Sequence, residues 1–309
     1  MKSYFRELSV AAALALVLAA LVVFAPAFYQ PQPLLSLAAR EAPTLVVACG
    51  MALVIISRQI DISVGSQFSV CSVGAGLLAA LQWPLALVLP VSIALGAALG
   101  AGNGVRVAGL RLPSIVVTLA TMVTLRQGLN LIRQGEFVIL PDHVQWFGLS
   151  QAAGQATLVG AALLLLVAFG FAMRHLAAGR FVYAIGTDAE AARLAGIRPQ
   201  LGTFLVFVLL GALTGLAAMM NVVQSPQVQP LSGSGLELKV IAAVVVGGVA
   251  ISGGRGNVWG AFAGLLLLAC IAPALTHLHI EAYWEKAIQG AVILLAVVAD
   301  GVRSRKQNR

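Results

Sequence analysis

The residues best suited to hold a metal or to act as general bases are few: four histidines, three cysteines and eleven carboxylates. His143, His175, His277 and His279 form no HExxH pair, no GxSxG nucleophile elbow is present, and no GxxxxGK[ST] phosphate loop occurs. The chain therefore cannot bind and hydrolyse ATP by the P-loop route. GGRG at 253–256 is too short to cradle phosphates and reads as a tight turn carrying one arginine. Cys49, Cys71 and Cys270 fall in apolar runs, are odd in number and share no metal-ligand spacing, so they read as packing residues. No catalytic residue, cofactor or metal is expected in this chain.

Transport asks for a different chemistry. It needs polar side chains at membrane depth, where an ionised group costs about 2.5–3.5 kcal/mol and so faces a cavity or a partner. Asp61 is the first, three residues after Arg58 and followed by Ser63 and Ser66. It either caps the inner ends of two helices or contacts a substrate. Arg126, Gln127 and Asn130 lie near the outer end of an apolar run, where Arg126 either snorkels to the surface or lines an outward cavity. Glu237 and Lys239 open another run, after a loop whose Asn221, Gln224, Gln227, Gln229, Ser232 and Ser234 are neutral hydrogen-bonders. Such amides and hydroxyls suit a neutral polyhydroxylated ligand, although water-facing loops have the same composition. Asp61, Ser63, Ser66, Arg126, Gln127, Asn130, Asn221, Gln224 and Glu237 are the candidates for a translocation pathway.

The elements that must position these groups are membrane helices. With 60% hydrophobic residues, 10% charged and a mean hydropathy of +0.96, the chain departs from a soluble domain, where about a quarter of residues are charged. The net charge of +8 is spread over single basic residues with no aromatic-interleaved patch, which excludes a nucleic-acid partner. Residues 8–24 superficially resemble a signal peptide, but an apolar run of that length exceeds the usual core of about 7–15 residues and reads as a first span. Further runs at about 43–57, 65–82, 84–105, 113–132, 154–173, 201–222, 237–252, 257–275 and 284–300 make about ten helices, with both termini on one side. A cytoplasmic N-terminus puts Lys2, Arg6, Arg58, Arg106, Arg111, Arg174, Arg180, Arg193, Arg198, Arg255, Arg303, Arg305, Lys306 and Arg309 inside, as the positive-inside rule requires.

Two runs, the second and the eighth, are shorter than the roughly 20 residues of a spanning helix. They end alike, in ISVG at 62–65 and ISGG at 251–254, and short or glycine-broken segments in two halves point to a transport pathway. Gly96 with Gly100, Gly211 with Gly215, and the series Gly256, Gly260, Gly264 place small residues one turn apart for close helix packing within the bundle.

The most water-like stretch, 174–200, lies between two spans. Thr187 and Glu190 have the spacing of a capping box, Asp188 complements the helix dipole, Gly196 suits a left-handed stop and Pro199 cannot continue a helix. The spacing predicts a helix over about 188–195, roughly 12 Å long and too short to stand alone in water. Arg193 lies on it, and Leu194 with Ile197 gives an apolar edge for a partner's groove. An ordinary loop that curls into one turn is the alternative.

GRFVYAIGTDAEAARLAGI in this loop resembles the cytoplasmic coupling segment of sugar-type permeases of bacterial ABC importers. RQIDISVGS at 58–66, LELKVIAAVVVGGVAISGGRG at 236–256 and NGVRVAGLRLPSIVVTLAT at 103–121 are similar to segments of the same family, which takes up ribose, xylose, arabinose, rhamnose and the autoinducer-2 signal. The resemblance implies an all-α, polytopic, single permease domain over 1–309 in the bacterial inner membrane, surrounded by lipid. It implies a cytoplasmic ATPase subunit that binds the ATP and magnesium, a periplasmic substrate-binding protein, and a second permease copy or homologue. Thr187, Asp188, Glu190, Arg193, Leu194, Gly196 and Ile197 would couple to the ATPase. The expected cargo is a small neutral sugar, with a furanosyl signal of the autoinducer-2 type as the alternative. A stand-alone ion-coupled transporter would need an ionisable relay, for which only Asp61, Arg126 and Glu237 lie near membrane depth.

Overall fold

The computed structural model describes residues 29–277, with scattered positions at 12–22 and 281–294. In chain order the helices are α1 (Pro31–Ile56), α2 (Val64–Ala80), α3 (Leu85–Gly104, continued as a π-turn over Val105–Gly109), α4 (Ser114–Arg133), α5 (Gln151–His175), α6 (Ala177–Thr187), α7 (Ala189–Leu194), α8 (Pro199–Val222), α9 (Leu236–Val246), α10 (Val258–Ala269) and α11 (Ile271–His277). Among the described residues, six helical stretches are long and apolar enough to cross a membrane: Pro31–Ile56, Leu85–Gly109, Ser114–Arg133, Gln151–His175, Pro199–Val222 and Val258–Leu275. The mostly helical, multi-pass architecture expected of the sequence is present. The expected spans at 8–24 and 284–300, and both termini, lie outside the described residues.

The bundle is organised around α1, whose apolar window is 94% buried, whereas that of α4 is only 17% buried. The reason is in their residues. Past Glu41, α1 is rich in alanine, glycine and valine, which lets neighbours close in on every side, while α4 turns Ile115, Val116, Leu119 and Val123 outward. Lipid tails accept such side chains as readily as a protein core does.

The glycine ladders are contacts within the chain, as their spacing suggested. A Cβ on Gly96 would overlap the Gly211 carbonyl, and one on Gly215 the Ser92 carbonyl, so α3 and α8 touch backbone to backbone. Gly260 and Gly264 do the same for α10 against Gly247, just past the end of α9, and Ala243 within it.

Two helices begin inside the bundle. After α1 the chain turns at Arg58, in the left-handed region at φ +65°, and runs non-helically to Val64. Irregular backbone at this depth needs partners from the protein. Ile60 N–H donates to Ser114 Oγ at 3.3 Å and Ile62 N–H to Thr118 Oγ1 at 3.1 Å. Ser66 Oγ then donates to the Met122 carbonyl, eight residues into α4, so α2 starts about 12 Å along that helix. α9, with 11 residues, extends only about 16 Å of the roughly 30 Å hydrocarbon core. Its first turn meets that of α2, where a Cβ on Gly65 would overlap both Glu237 Oε2 and the Gly233 carbonyl.

Three expectations are corrected. The second run is no short segment, because α1 extends back to Pro31 through Arg40, Glu41 and Pro43, and Lys239 supplies the charge partner that lets Glu41 lie within it. The eighth run is short as expected, since α9 has 11 residues; the other short helix is α2, and ISVG lies at the start of α2 instead of ending a short helix, while ISGG lies past the end of α9. The fold also contains strands: Val138–Ile139 (β1) pairs antiparallel with Gln227–Val228 (β2), in register Val138↔Val228 and Ile139↔Gln227. This ladder marks one end of the bundle, and α6 with α7 marks the other.

Candidate functional site

At the α6–α7 end, the expected short helix is present with a different cap. Asp188 Oδ1 accepts from the backbone N–H groups of Glu190 at 2.9 Å and Ala191 at 3.0 Å. Thr187 is the last residue of α6, and its hydroxyl donates back to the Tyr183 carbonyl at 2.8 Å. The Thr187–Glu190 capping box does not form, because the helical backbone of α6 commits the threonine hydroxyl to the preceding turn. Glu190 instead accepts from Arg193, one turn on, and that bond holds its carboxyl below the usual carboxylate range. Gly196 takes the left-handed conformation at φ +84°. Its N–H bonds the Arg193 carbonyl and that of Ile197 the Ala192 carbonyl, the paired bonds of a Schellman stop. Pro199 opens α8 as its first residue.

The helix has one covered side and one uncovered side. Ala192 packs inward, while Leu194 is 78% exposed. An apolar side chain on a six-residue helix with no cover of its own is the feature a partner groove would take.

The membrane-depth candidates divide into two groups. Asp61 is fully buried and heads a cluster at the start of α2. Its carboxylate accepts from Ser63 N–H at 2.8 Å, Ser63 Oγ at 2.5 Å, Gln67 Nε2 at 3.2 Å and Asn103 Nδ2 at 3.3 Å. Asn103 in turn accepts from Thr121 Oγ1 at 2.7 Å. These four donors tie Asp61 to the segment that precedes α2, to Gln67 in the first turn of that helix and to Asn103 at the end of α3.

The second group is ionic. Arg126 reaches Glu237 Oε1 at 3.0 Å, with side-chain exposures of 24% and 8%, so it is paired and does not snorkel. Lys239 pairs with Glu41 at 2.8 Å. The first turn of α9 is thus tied on one side to α4 and on the other to α1. Gln127 and Asn130 bond each other at 3.4 Å on α4. Asn221 and Gln224 lie elsewhere, at the ladder end of α8, where Gln224 donates to the Met220 carbonyl.

Asn103, Gln67, Thr118 and Thr121 were not singled out from the sequence. The available signal was an isolated amide in an apolar run, Asn103 in 84–105 and Gln67 in 65–82. Among the described residues, Gln67 Oε1, Ser72 Oγ and Glu237 Oε2 are buried without a hydrogen-bond partner. They leave acceptor capacity along this seam.

Apolar helices interrupted at mid-depth around polar groups, with an exposed helix at one end, define a polytopic transport subunit. Residues 34–297 match the family described as branched-chain amino acid transport system / permease component, and the chain belongs to that family. It is 32% identical over 304 residues to the ribose import permease protein RbsC of Escherichia coli strain K12, covering 97% of this chain and 95% of that protein. It is 36% identical over 297 residues to the autoinducer 2 import system permease protein LsrC of Klebsiella pneumoniae, covering 96% and 86% respectively. No solved structure matches the chain. The chain is therefore a multi-pass inner-membrane permease subunit of the ABC importer kind.

Proposed function

We propose that this chain forms the translocation pathway of an ATP-driven importer for a small neutral sugar of the ribose, xylose, arabinose or rhamnose type. The observation that carries the reading is α7, capped by Asp188, stopped by Gly196 and presenting Leu194 uncovered. A cytoplasmic ATPase would grip this helix, which places the α6–α7 end inside, and with it both termini of an about ten-span chain. A periplasmic binding protein would deliver sugar at the ladder end. ATP and magnesium would be bound by the partner. Alternating access would follow as the ATPases close on α7 and the spans rock about the pathway.

The sugar reading rests on two things: the names of the relatives, one a ribose and one an autoinducer-2 import permease, and the neutral polar groups at membrane depth. Ser63, Ser66, Gln67 and Asn103 carry hydroxyls and amides of the kind a polyol exchanges for water, and since all four are buried and bonded within the bundle, a sugar would meet them only as the helices part. A second permease copy would face α4, which exposes Thr124 and Gln127 among lipid-type side chains. Polar groups facing out at membrane depth require a partner or a water-filled cavity.

The test is a cysteine at Glu190 in a chain whose native cysteines are replaced. It should label from the cytoplasm and crosslink to the ATPase subunit. Labelling from the periplasm would overturn both the orientation and the role. Vesicles supplied with binding protein and ATP should accumulate ribose-type sugars, and accumulation of the furanosyl signal in their place would move the assignment to the autoinducer class.

A further inference from the structure

At the α6–α7 end, three segments meet with backbone directly on backbone. A Cβ on Gly186, at the end of α6, would overlap the Ile56 carbonyl that ends α1. Gly254 N–H donates to that same carbonyl at 2.8 Å. Gly253 lies so close that a Cβ there would stand 2.8 Å from both the Gly186 carbonyl oxygen and Arg58 Cβ. Tyr183 Oη donates to the Gly256 carbonyl at 2.7 Å. The GGRG turn between α9 and α10 is thus fastened to α6 and to the end of α1.

Flexible side chains absorb relative motion between packed elements, and here they are largely absent from the contact. Close-packed backbone transmits displacement instead of damping it. The other end of α9, about 16 Å away, carries Glu237 in its bond to Arg126. We propose that the Tyr183–Gly186 end of α6, the 253–256 turn and Ile56 form a rigid joint, so that displacement of α7 swings α9 as a lever and breaks the Arg126–Glu237 pair. Tyr183 and Gly186 are then positioning residues for transport, acting through α9 without touching the sugar. This rests on the reading of α7 as the ATPase contact and deepens it.

The experiment uses the complete importer, permease with its ATPase and binding-protein partners, reconstituted in liposomes. Spin labels at Arg180 and Ser252, both exposed, span the joint, and labels at Gln127 and Leu238, also exposed, span the ion pair. On vanadate trapping, the 180–252 distance should hold within about 2 Å while the 127–238 distance changes by more than about 4 Å, the difference between a rigid unit and a sheared interface. A change across the joint, or none across the ion pair, would overturn the proposal. Gly186→Ala wedges the joint, and it should lower uptake at least about threefold at a given abundance while ATP hydrolysis stays within about twofold, the loss of drive through a contact worth a hydrogen bond or more. Parallel loss of uptake and hydrolysis would overturn it. Where that wedge prevents accumulation of the chain, the label distances decide. A chain that crosslinks to no ATPase would instead defeat the importer reading, and the joint with it.

Discussion

Glu237 occupies the most demanding position of any single residue in the seam. It is buried, its Oε1 holds Arg126, its Oε2 has no partner, and Gly65 leaves just enough room beside it. Replacing it with glutamine keeps the volume and removes the charge, leaving Arg126 without its counter-ion. Glu237→Gln should cost about 1.5–3 kcal/mol, the range for a hydrogen bond to a charged group. Thermal unfolding in detergent checks the stability, and vesicle uptake checks the function. The reversed pair, Arg126→Glu with Glu237→Arg, should recover part of both, and no recovery would mean that the two residues act separately. Asp61 differs, since its hydrogen bonds come from neutral groups, Ser63 and Gln67 at the start of α2 and Asn103 at the end of α3. Sequence reasoning offered capping or substrate contact for it; its partners in the structure are the Ser63 amide and hydroxyl and the amides of Gln67 and Asn103.

For an element, caps and stops decide whether a six-residue helix exists at all. The hydroxyl of Thr187 is committed within α6, so Thr187→Ala should leave α7 and uptake nearly unchanged. Asp188→Ala removes the actual cap and should cost about 0.5–2 kcal/mol of local helix stability. Uptake should then fall while the chain remains in the membrane at near-normal abundance. Equal effects of the two substitutions would return the cap to Thr187. The Glu190–Arg193 pair adds an acid-sensitive element. The Glu190 carboxyl is held below its ordinary value in the folded helix, so its contribution is present above that ordinary value and is lost as pH falls through the lowered one. It stays ionised through the physiological range, and uptake should show no step there on its account. The short reach of α9 is an element-scale property too, since a helix that begins inside the bundle has its first turn held by two ion pairs, to Arg126 of α4 and to Glu41 of α1.

At the scale of the whole molecule, the chain supplies a path and no fuel. The purified permease should hydrolyse no ATP, since it contains no phosphate loop, and vanadate-sensitive hydrolysis by the isolated chain would reveal a nucleotide site of another kind. A cysteine at Gln127 should crosslink to its counterpart in a second copy in native membranes. Crosslinking to lipid-phase reagents alone would show that the α4 face meets the bilayer.

Much of this was legible in the residues. Hydropathy placed the long helices between 29 and 277 within a few residues, except for the start of α1, which charged residues concealed, because a bilayer imposes a length and an apolar composition that local sequence must satisfy. The stop at Gly196 was legible for a similar reason, as a left-handed turn is a backbone property that glycine signals on its own. The cap was misread because threonine and aspartate are adjacent, and α6, which the loop's mixed composition concealed, determines which of them is free. Which polar groups meet was decided only by tertiary structure. Asp61 with Asn103, Arg126 with Glu237, and Glu41 with Lys239 join residues 42, 111 and 198 positions apart. No local pattern encodes such pairs; they arise because closely packed helices bring polar groups distant in sequence within hydrogen-bond reach of each buried charge.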